Sequence, residues 1–369
     1  MKIQIIAIFL IAVLAVFFVA GCTTTAGNAT ISEKKTVKIG IILPLTGGLA
    51  NLGESARDSA LLAQDDLPSN SKYNYLLIFE DDSTDPKTTS TAATKLINVD
   101  KVDALVSFTS GPGNVVSPIA QQNKILHVGI ASDANIAKGE YNFLHWTMPE
   151  EENKVLISEL QKRGLKKVAV IALNQQGTEA TMSDFKKQIN STEIKIVYYA
   201  NINFGDTDFK TILLKAEEAK PDIYLLEEFP PEIDIIAKQM KELGIETPVT
   251  AIETIEASEH PELFEGVWYI QAAEANNEFQ IKFSDKYPGK TPTLASGNVY
   301  DAVRLIVNAY ETAGKSSAEK PTAGQAAKEL SKIKNFSGAL GILNVGDEGI
   351  IESQASVRMI KDGKPVTIG

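Results

Sequence analysis

The chain has 369 residues and a formal net charge of −11, with 36 lysines and arginines against 47 aspartates and glutamates. This acidic balance excludes nucleic acid as a partner, because a phosphate backbone requires a basic protein surface. The one cysteine, Cys22, excludes an internal disulfide, and a chain of this length folds without one.

An export signal is predicted for residues 1–21. Lys2 supplies a positive start, residues 3–20 are almost continuously apolar, and Gly21 directly precedes Cys22. A basic start, an apolar middle and small residues at the cleavage point are typical of a secretory signal. The sequence around Cys22 resembles the lipobox of prokaryotic lipoproteins, whose thiol is lipidated and becomes the mature N-terminus. An uncleaved membrane anchor is the alternative, because about 18 mostly apolar residues just span a bilayer.

The segment that follows, residues 22–36, is small and polar and is predicted to be a flexible tether. With a lipid on Cys22, this tether would hold a folded body at the outer face of the membrane. The predicted location is therefore the cell surface or the periplasm.

From residue 37 the chain alternates two kinds of pattern. Short apolar runs bounded by Gly, Pro or Asp predict buried strands at 37–43, 75–79, 104–108, 125–128, 168–172, 194–199, 223–226 and 249–252. Amphipathic patterns between them predict helices, which include 55–65, 86–98, 178–189, 208–219, 232–243 and 298–312. This alternation indicates the α/β class, with parallel sheets covered by helices on both faces. Two successive series indicate two Rossmann-like lobes.

The loops that follow the predicted strands are the candidate binding surface, because ligands of open parallel sheets bind beyond the carboxyl ends of the strands. These loops are 44–53, 109–114, 129–135, 174–177, 227–231 and 253–256.

The opening strand, Val37-Lys38-Ile39-Gly40-Ile41-Ile42-Leu43-Pro44-Leu45-Thr46-Gly47, resembles that of type I solute-binding proteins. The closest likeness is to the branched-chain amino-acid-binding group that serves ABC importers. Further similar segments follow in order, at Gly53-Glu54, Asp81-Asp82, Asp85-Pro86, Tyr300-Asp301-Ala302-Val303, Phe336-Ser337-Gly338-Ala339-Leu340-Gly341 and Lys361-Asp362-Gly363-Lys364.

The resemblance implies two lobes joined by three hinge crossings, with a ligand that closes the cleft between them. It places lobe 1 at 37–147 plus 275–340 and lobe 2 at 148–272 plus 343–369. It also implies a monomer that needs no cofactor and delivers its ligand to an ABC-type membrane permease.

The first-lobe pocket of that family binds the ligand carboxylate, and here Ser110, beside Thr109, lies at the matching place. A hydroxyl and the N–H groups of a helix N-terminus form an anion site without an arginine. The alternative is a Ser-Gly-Pro-Gly turn with a purely geometric role.

The ammonium group of the ligand is implied to contact Ala131 and either Ser132 or Asp133. Asp133 is equally suited to be a helix N-cap. In the second lobe Glu253 matches the family's ammonium-binding glutamate, with an ordinary solvated glutamate as the alternative.

This chain departs from the family at three positions. Leu52 and Gln176 stand where the family has aromatic residues, and Phe229 stands where it has a tyrosine, so the hydroxyl is missing. Glu227 and Glu228 replace small residues. If they line the cleft, a cationic or amide ligand is favoured over a zwitterion. The alternative, which we favour here, is that both face solvent at the strand end.

Other aromatic residues are assigned to packing. His145 and Trp146 are predicted to pack at the first hinge crossing. Phe204 could line the pocket, although most aromatic residues of such folds belong to the core.

No catalytic signature is evident. His127, His145 and His260 are too scattered to predict a metal site, and no nucleophile-elbow, Walker or dinucleotide-binding pattern occurs. A binding protein without enzymatic activity is therefore predicted. A sensory or accessory receptor on the same fold and a structural surface lipoprotein remain alternatives.

Overall fold

The computed structural model describes residues 34–316 and 318–368. The predicted signal, the lipidation site at Cys22 and most of the tether at 22–36 lie outside the described residues. None of the described helices combines the length and the apolar character needed to span a bilayer.

The first half of the chain forms the elements β1 Thr36–Leu43, α1 Ala50–Asp65, β2 Asn74–Asp81, α2 Pro86–Lys95, β3 Ala104–Phe108, α3 Ser110–Asn123, β4 Leu126–Ile130, β5 Asn142–His145, α4 Pro149–Lys162, β6 Lys167–Leu173 and α5 Gln176–Ile189. The second half forms β7 Lys195–Ile202, α6 Lys210–Glu218, β8 Ile223–Glu227, α7 Glu232–Glu242, β9 Val249–Ala251, β10 Trp268–Gln271, α8 Asn277–Lys286, α9 Ser296–Ala313, α10 Ala323–Leu330, β11 Phe336–Gly338, β12 Gly341–Val345, β13 Ile350–Glu352, β14 Ser356–Lys361 and β15 Lys364–Thr367.

The first lobe is built on an eight-stranded sheet with the order β11-β12-β13-β5-β4-β3-β1-β2. Strands β1 to β5 pair in parallel, and consecutive residues of β1 point to opposite faces of the sheet. Ile41 packs in a core with α1 and α9, whereas Ile42 packs in a separate core with α2 and α3. Helices therefore cover both faces of this sheet.

The second lobe has the same organisation. A parallel sheet with the order β7-β6-β8-β9 continues through a bridge between Ile252 and Ile270 into β10. Strand β10 pairs with β14, which in turn pairs with β15. Ile171 packs with α6 and α7 on one face, and Val170 packs with α4 and α5 on the other. The predicted α/β class with parallel sheets is confirmed.

The start of one helix shows how local sequence places an element. Pro86 occupies the first turn of α2, and Asp85 caps it by accepting from the Thr88 N–H at 2.8 Å. Asp81 instead accepts from the N–H groups of Leu45 and Thr46. These acidic residues therefore shape the loop at the end of β1.

One lobe boundary differs from the sequence prediction, which assigned residues 343–369 to the second lobe. Strand β13 pairs in parallel with β5 and antiparallel with β12, so residues 341–352 belong to the first sheet. The third crossing lies at 353–355, after which β14 pairs with β10. The sequence prediction was wrong here because short strands at a sheet edge carry no signal of their partner.

The three crossings meet at Thr147, a buried residue of the first crossing. Its Oγ1 accepts a hydrogen bond from the N–H of Ala273 in the second crossing at 2.9 Å. It also shares a 2.8 Å hydrogen bond with the hydroxyl of Ser353 in the third crossing. One side chain thus joins the three segments that connect the lobes.

We expect Thr147→Val to lower the free energy of unfolding by about 1–3 kcal/mol, because the Ala273 N–H loses its acceptor inside the hinge. Urea denaturation monitored by circular dichroism measures this change. Thr147→Ser is the matched control, since it keeps the hydroxyl and is expected to retain most of the stability. Equal stability of the valine variant and the wild type would show that the hydroxyl does not hold the crossings together.

Candidate functional site

A cavity of about 310 Å³ lies between the two lobes, at the carboxyl ends of their strands. Its first-lobe wall is formed mainly by the loops after β1, β3 and β4 and by residues just before α9. Its second-lobe wall is formed by the loops after β6, β7, β8 and β9. The lining residues are Leu49, Leu52, Thr84, Phe108, Thr109, Ser110, Gly111, Pro112, Ile130, Ala131, Ser132, Trp146, Gln175, Gln176, Gly177, Phe204, Phe229, Glu253, Leu294 and Ala295. The cavity lies in the size range of small-molecule sites.

Ser110 is presented to the cavity by the start of α3. Thr109 before it has φ +68° and ψ +159°, a backbone conformation that is unfavourable for a residue with a side chain. It is held there because its N–H donates to Ile130 O and its carbonyl accepts from the Gly113 N–H. The first N–H groups of α3 have no acceptor within the helix, so they and the Ser110 hydroxyl can bind an anion.

The loop after β4 adds Ala131 and Ser132 to the same wall. The Ser132 hydroxyl lies 3.5 Å from that of Ser110. Asp133 lies outside the lining and caps a short 3-10 turn, with its Oδ1 accepting from the Asn135 N–H at 2.9 Å. The helix-capping alternative for Asp133 is therefore the one that the structure shows.

Glu253 is the acidic group of the opposite wall. It also has a positive φ, +66°, and its N–H donates to Ile270 O at 2.7 Å. Among the described residues its Oε1 has no hydrogen-bond partner and no contact with water. Burial raises the pKa of Glu253 to about 7, although the nearby carboxyl of Glu152 and indole of Trp146 act in the opposite direction. An orphaned buried carboxyl of this kind is a candidate binding group.

Glu152 is a site residue that the sequence analysis missed. It lies in the first turn of α4 with only 1% of its surface exposed, and its carboxyl adjoins that of Glu253. Burial, followed by the charges of Glu253 and Glu227, raises the pKa of Glu152 well above its ordinary value. Its only signal in the sequence was an acidic first helical turn, which is usually a solvated surface.

Glu227 and Glu228 are both buried, so the expectation that they face solvent was wrong. Glu227 accepts from the N–H of Ile252 at 2.7 Å and thereby fixes the strand that carries Glu253. Both carboxyl oxygens of Glu228 lack a partner within the described chain. Burial raises the pKa of both glutamates, and neither lines the cavity.

Apolar side chains fill the space between the two polar walls. Leu52 and Phe229, two of the positions that depart from the family pattern, line it together with Phe108. Trp146 belongs to the first crossing, as predicted, but it also lines the cavity. Phe204 lines it too and is 50% exposed, so of the two alternatives for this residue the pocket is observed and the core is not.

The two lobes contact each other across the mouth of the cleft. The Asn114 side chain of α3 donates to Gln176 Oε1 at 2.7 Å and to Asp133 Oδ2 at 2.8 Å. Gly177 is so close to Ser132 that a Cβ atom on it would lie 3.1 Å from the serine hydroxyl. The described conformation is therefore closed.

The ionisable charge of the described cavity lining lies on the second-lobe wall alone. Glu253 is the single ionisable residue among the described residues that line the cavity. The described chain also contains no group of three or more His, Cys, Asp or Glu residues arranged to hold a metal ion. The cavity therefore offers a helix N-terminus and hydroxyls on one wall, a carboxyl on the other, and apolar surface between them.

Eight of the nine side chains predicted for the site line this cavity, and Asp133 does not. The residues that prediction missed come partly from loops already singled out, such as Leu49 and Gln175. Leu294 and Ala295 precede α9 rather than follow a strand, so the rule on strand ends could not find them.

Comparison with known proteins gives a consistent result. Residues 36–364 match the sequence profile of a family described as periplasmic binding protein. The Leu/Ile/Val-binding protein BraC3 of Rhizobium johnstonii is 25% identical over 339 residues, covering 86% of this chain and 90% of that protein.

Solved structures share the fold. A leucine-binding protein LivK from Thermotoga maritima superposes with a TM-score of 0.80 at 24% identity, covering 90% of this chain and 98% of that one. An ABC transporter solute-binding protein from Rhodopseudomonas palustris in complex with benzoate superposes with a TM-score of 0.81 at 19% identity, covering 90% of this chain and 96% of that one.

We expect Asn114→Ala to shift the ligand-free protein towards an open conformation, because the substitution removes the side-chain bond between α3 and α5. A partly exposed hydrogen bond of about 1 kcal/mol changes the closed-to-open ratio about fivefold. Small-angle X-ray scattering measures this as a larger radius of gyration. Gln122→Ala is the control, since Gln122 is exposed on the same helix. A scattering curve identical to that of the control would show that this bond does not hold the lobes together.

Proposed function

We propose, because this chain belongs to the periplasmic binding protein family, that it captures an amino acid or an amino-acid-like ligand between its lobes. The protein would deliver this ligand to an ABC-type importer. It would bind and release the ligand without changing it chemically.

The main support for the proposal is that two polar groups face each other across one small cavity. Ser110 and the start of α3 lie on the first-lobe wall, and Glu253 lies on the second-lobe wall. A ligand carboxylate is stabilised by the helix N-terminus, and a ligand ammonium forms a charge-assisted hydrogen bond to Glu253. Such a ligand satisfies a buried carboxyl oxygen that otherwise has no partner.

The character of the remaining surface supports an apolar ligand side chain. Leu52, Phe108 and Phe229 surround the space between the polar walls, and no basic residue lines the described cavity. The name of the Rhizobium johnstonii relative states leucine, isoleucine and valine as its ligands. A branched aliphatic amino acid is therefore the first ligand class to test.

A ligand without an amine is less well suited to this site. The Rhodopseudomonas palustris structure holds benzoate, which has a carboxylate and an apolar ring. In the present cavity such a ligand would leave Glu253 buried without a partner, at a cost of roughly 1–3 kcal/mol or more. The carboxyl of Glu253 therefore favours amines over simple carboxylates.

Closure follows from the way in which the ligand contacts both lobes. Ser110 belongs to the first lobe and Glu253 to the second, so both contacts form together only in the closed state. A ligand shifts a conformational equilibrium through its difference in affinity for the two states. Bridging therefore couples ligand capture to the closed shape that an importer would recognise.

We expect Glu253→Gln to weaken binding of L-leucine by an order of magnitude or more, because a charge-assisted hydrogen bond is replaced by a neutral one. Isothermal titration calorimetry at pH 7.5 measures the dissociation constant. Glu246→Gln is the control, since Glu246 is an exposed glutamate of the same lobe. Equal affinity of both variants and the wild type would exclude Glu253 from the ligand site. If none of leucine, isoleucine, valine and other amino acids binds to the wild type, the proposed function itself is wrong.

The location is also part of the proposal. A lipid on Cys22 would anchor the protein as a monomer to the outer face of the membrane, and the polar tether would leave the lobes free to reach the importer. We expect Cys22→Ser to abolish labelling by radioactive fatty acid when the full chain is expressed in bacteria. Labelling is measured on immunoprecipitated protein. A cysteine variant that still incorporates the label would contradict lipidation at this residue.

A further inference from the structure

We propose that Glu152 and Glu253 form a carboxyl pair that shares one proton in the ligand-free protein and releases it when a cationic group of the ligand binds. This inference rests on the proposed function and adds to it a requirement for a cation and a proton exchange. Glu253 would contact the ligand, and Glu152 would act through it as a positioning residue.

The geometry of the pair is the first argument. Glu152 extends from the first turn of α4, and Glu253 extends from the loop after β9, so their carboxyls meet at the base of the second-lobe wall. Among the described residues the Oε1 atoms of both have neither a hydrogen-bond partner nor contact with water. Two carboxyls that adjoin each other in this way are satisfied when one of them donates its proton to the other.

Among the described residues, the charged groups that act on Glu152 and Glu253 are all acidic. From β8, Glu227 faces both carboxyls and carries the same sign of charge. From the 3-10 turn at 254–257, Glu256 also faces Glu253, and its own charge is paired with Arg358 of β14.

Other elements place mainly acidic and neutral side chains near these glutamates, and Lys186 lies further out, with its Nζ 4.0 Å from the ring centroid of Tyr199. From α5, Asp184 accepts from Asn153, the residue after Glu152. Tyr199 of β7 faces Glu227 and Glu179, and burial with these charges raises the pKa of its hydroxyl. Strand β10 contributes the neutral amide of Gln271, whose Oε1 has no partner in the described chain.

These contacts decide how much charge the pair holds. Two ionised carboxyls in contact and out of water repel each other strongly, and burial penalises each of them. The positive end of α4, equivalent to about half an elementary charge, favours a negative charge near its first turn but is too weak to offset two buried ones. One shared proton leaves the pair with a single negative charge.

A ligand ammonium changes this balance. When it binds to Glu253 it supplies one positive charge, and the shared proton is no longer needed to offset the second carboxylate. The proton then leaves for bulk solvent, the pair passes from one negative charge to two, and the site as a whole keeps its net charge. Binding is therefore an exchange of one cation for another.

The exchange defines a ligand requirement. An anionic or neutral molecule of the same shape cannot displace the proton, so it gains nothing from the pair. A primary amine donates to Glu253 through its N–H groups, and its positive charge also offsets the charge of Glu152 behind Glu253. The pair thus selects for a protonated amine rather than for a carboxylate alone.

Calorimetry with L-leucine tests the exchange directly. At pH 7.0 we expect the binding enthalpy of the wild type to differ between phosphate and Tris buffers by an amount that corresponds to about half a proton released, because an apparent pKa of about 7 leaves the shared proton half dissociated. We also expect affinity to rise about tenfold between pH 6.0 and pH 8.0, because the proton competes with the ligand below the apparent pKa. The leucine analogue without an amine, 4-methylpentanoate, is expected to bind at least tenfold more weakly at pH 8.0.

Glu152→Gln separates this role from a purely structural one. We expect its L-leucine affinity to change less between pH 6.0 and pH 8.0 than that of the wild type, because a glutamine here can donate to Glu253 as the shared proton does but cannot itself ionise. Glu150→Gln is the matched control, since Glu150 is exposed on the same helical turn and should keep the wild-type profile. If leucine binds with no proton release, or if both variants show the same pH profile, the proton exchange is wrong while the proposed function stands. If no amino acid binds, both are wrong.

A measurement on the ligand-free protein checks the pair independently. Both carboxyls have a pKa raised above that of the unfolded chain, so the folded state binds more protons and loses stability as the pH rises through the folded values. We therefore expect the melting temperature to fall more between pH 6.0 and pH 8.0 for the wild type and Glu150→Gln than for Glu152→Gln. Glu253→Gln should reduce the fall as Glu152→Gln does, and parallel melting curves for all four proteins would overturn the proposal.

Discussion

Three short crossings between the lobes determine how the two walls of the site face each other. They keep the carboxyl ends of two parallel sheets facing each other, and the hydroxyl of Thr147 joins all three where they run side by side. Because ligands of such sheets bind beyond these strand ends, the constraint converts two half-sites into one enclosed cavity. The first lobe contributes Ser110 at the start of α3 and the second lobe contributes Glu253, so the cavity has both groups only because the lobes face each other.

On each wall, one residue of the site has a backbone conformation that residues other than glycine rarely adopt. Thr109 and Glu253 both have a positive φ, at +68° and +66°. Backbone strain of this kind persists only when surrounding hydrogen bonds impose it, and it is concentrated at functional sites. Here Ile130 O and Ile270 O accept from the two N–H groups and hold the loops in place. The core of each lobe therefore stabilises a strained loop that faces the cavity.

Buried acidic residues are the most unusual chemical feature of the second-lobe wall. A protein that keeps Glu152, Glu227 and Glu253 together out of water loses stability unless protons or cations offset their charge. The fold alone does not choose the ligand, since similar folds are found in a leucine-binding protein and in one that holds benzoate. The choice depends on the chemistry of the walls, and we propose that the carboxyls make this site selective for a positive charge.

The sequence by itself determined the elements and the loops that matter, because local periodicity records which face of an element is buried. The apolar runs that became β1, β3, β4 and β8 were predicted to within a few residues, and the loops after them carry Ser110 and Phe229 to the cavity. Local patterns allowed Asp133 to be either a ligand-binding residue or a helix N-cap, and the N-cap is observed.

Only the tertiary structure decided which surfaces meet. Glu152 lies in an acidic helical turn that is usually solvated, and it is buried because α4 packs against the loop after β9. Residues 343–352 join the first sheet because β13 finds β5 as its partner, which no run of a few residues specifies. Burial within an element repeats along the chain and can be seen in the sequence. Contact between distant elements depends on the path of the whole chain, and so does the environment of each charge.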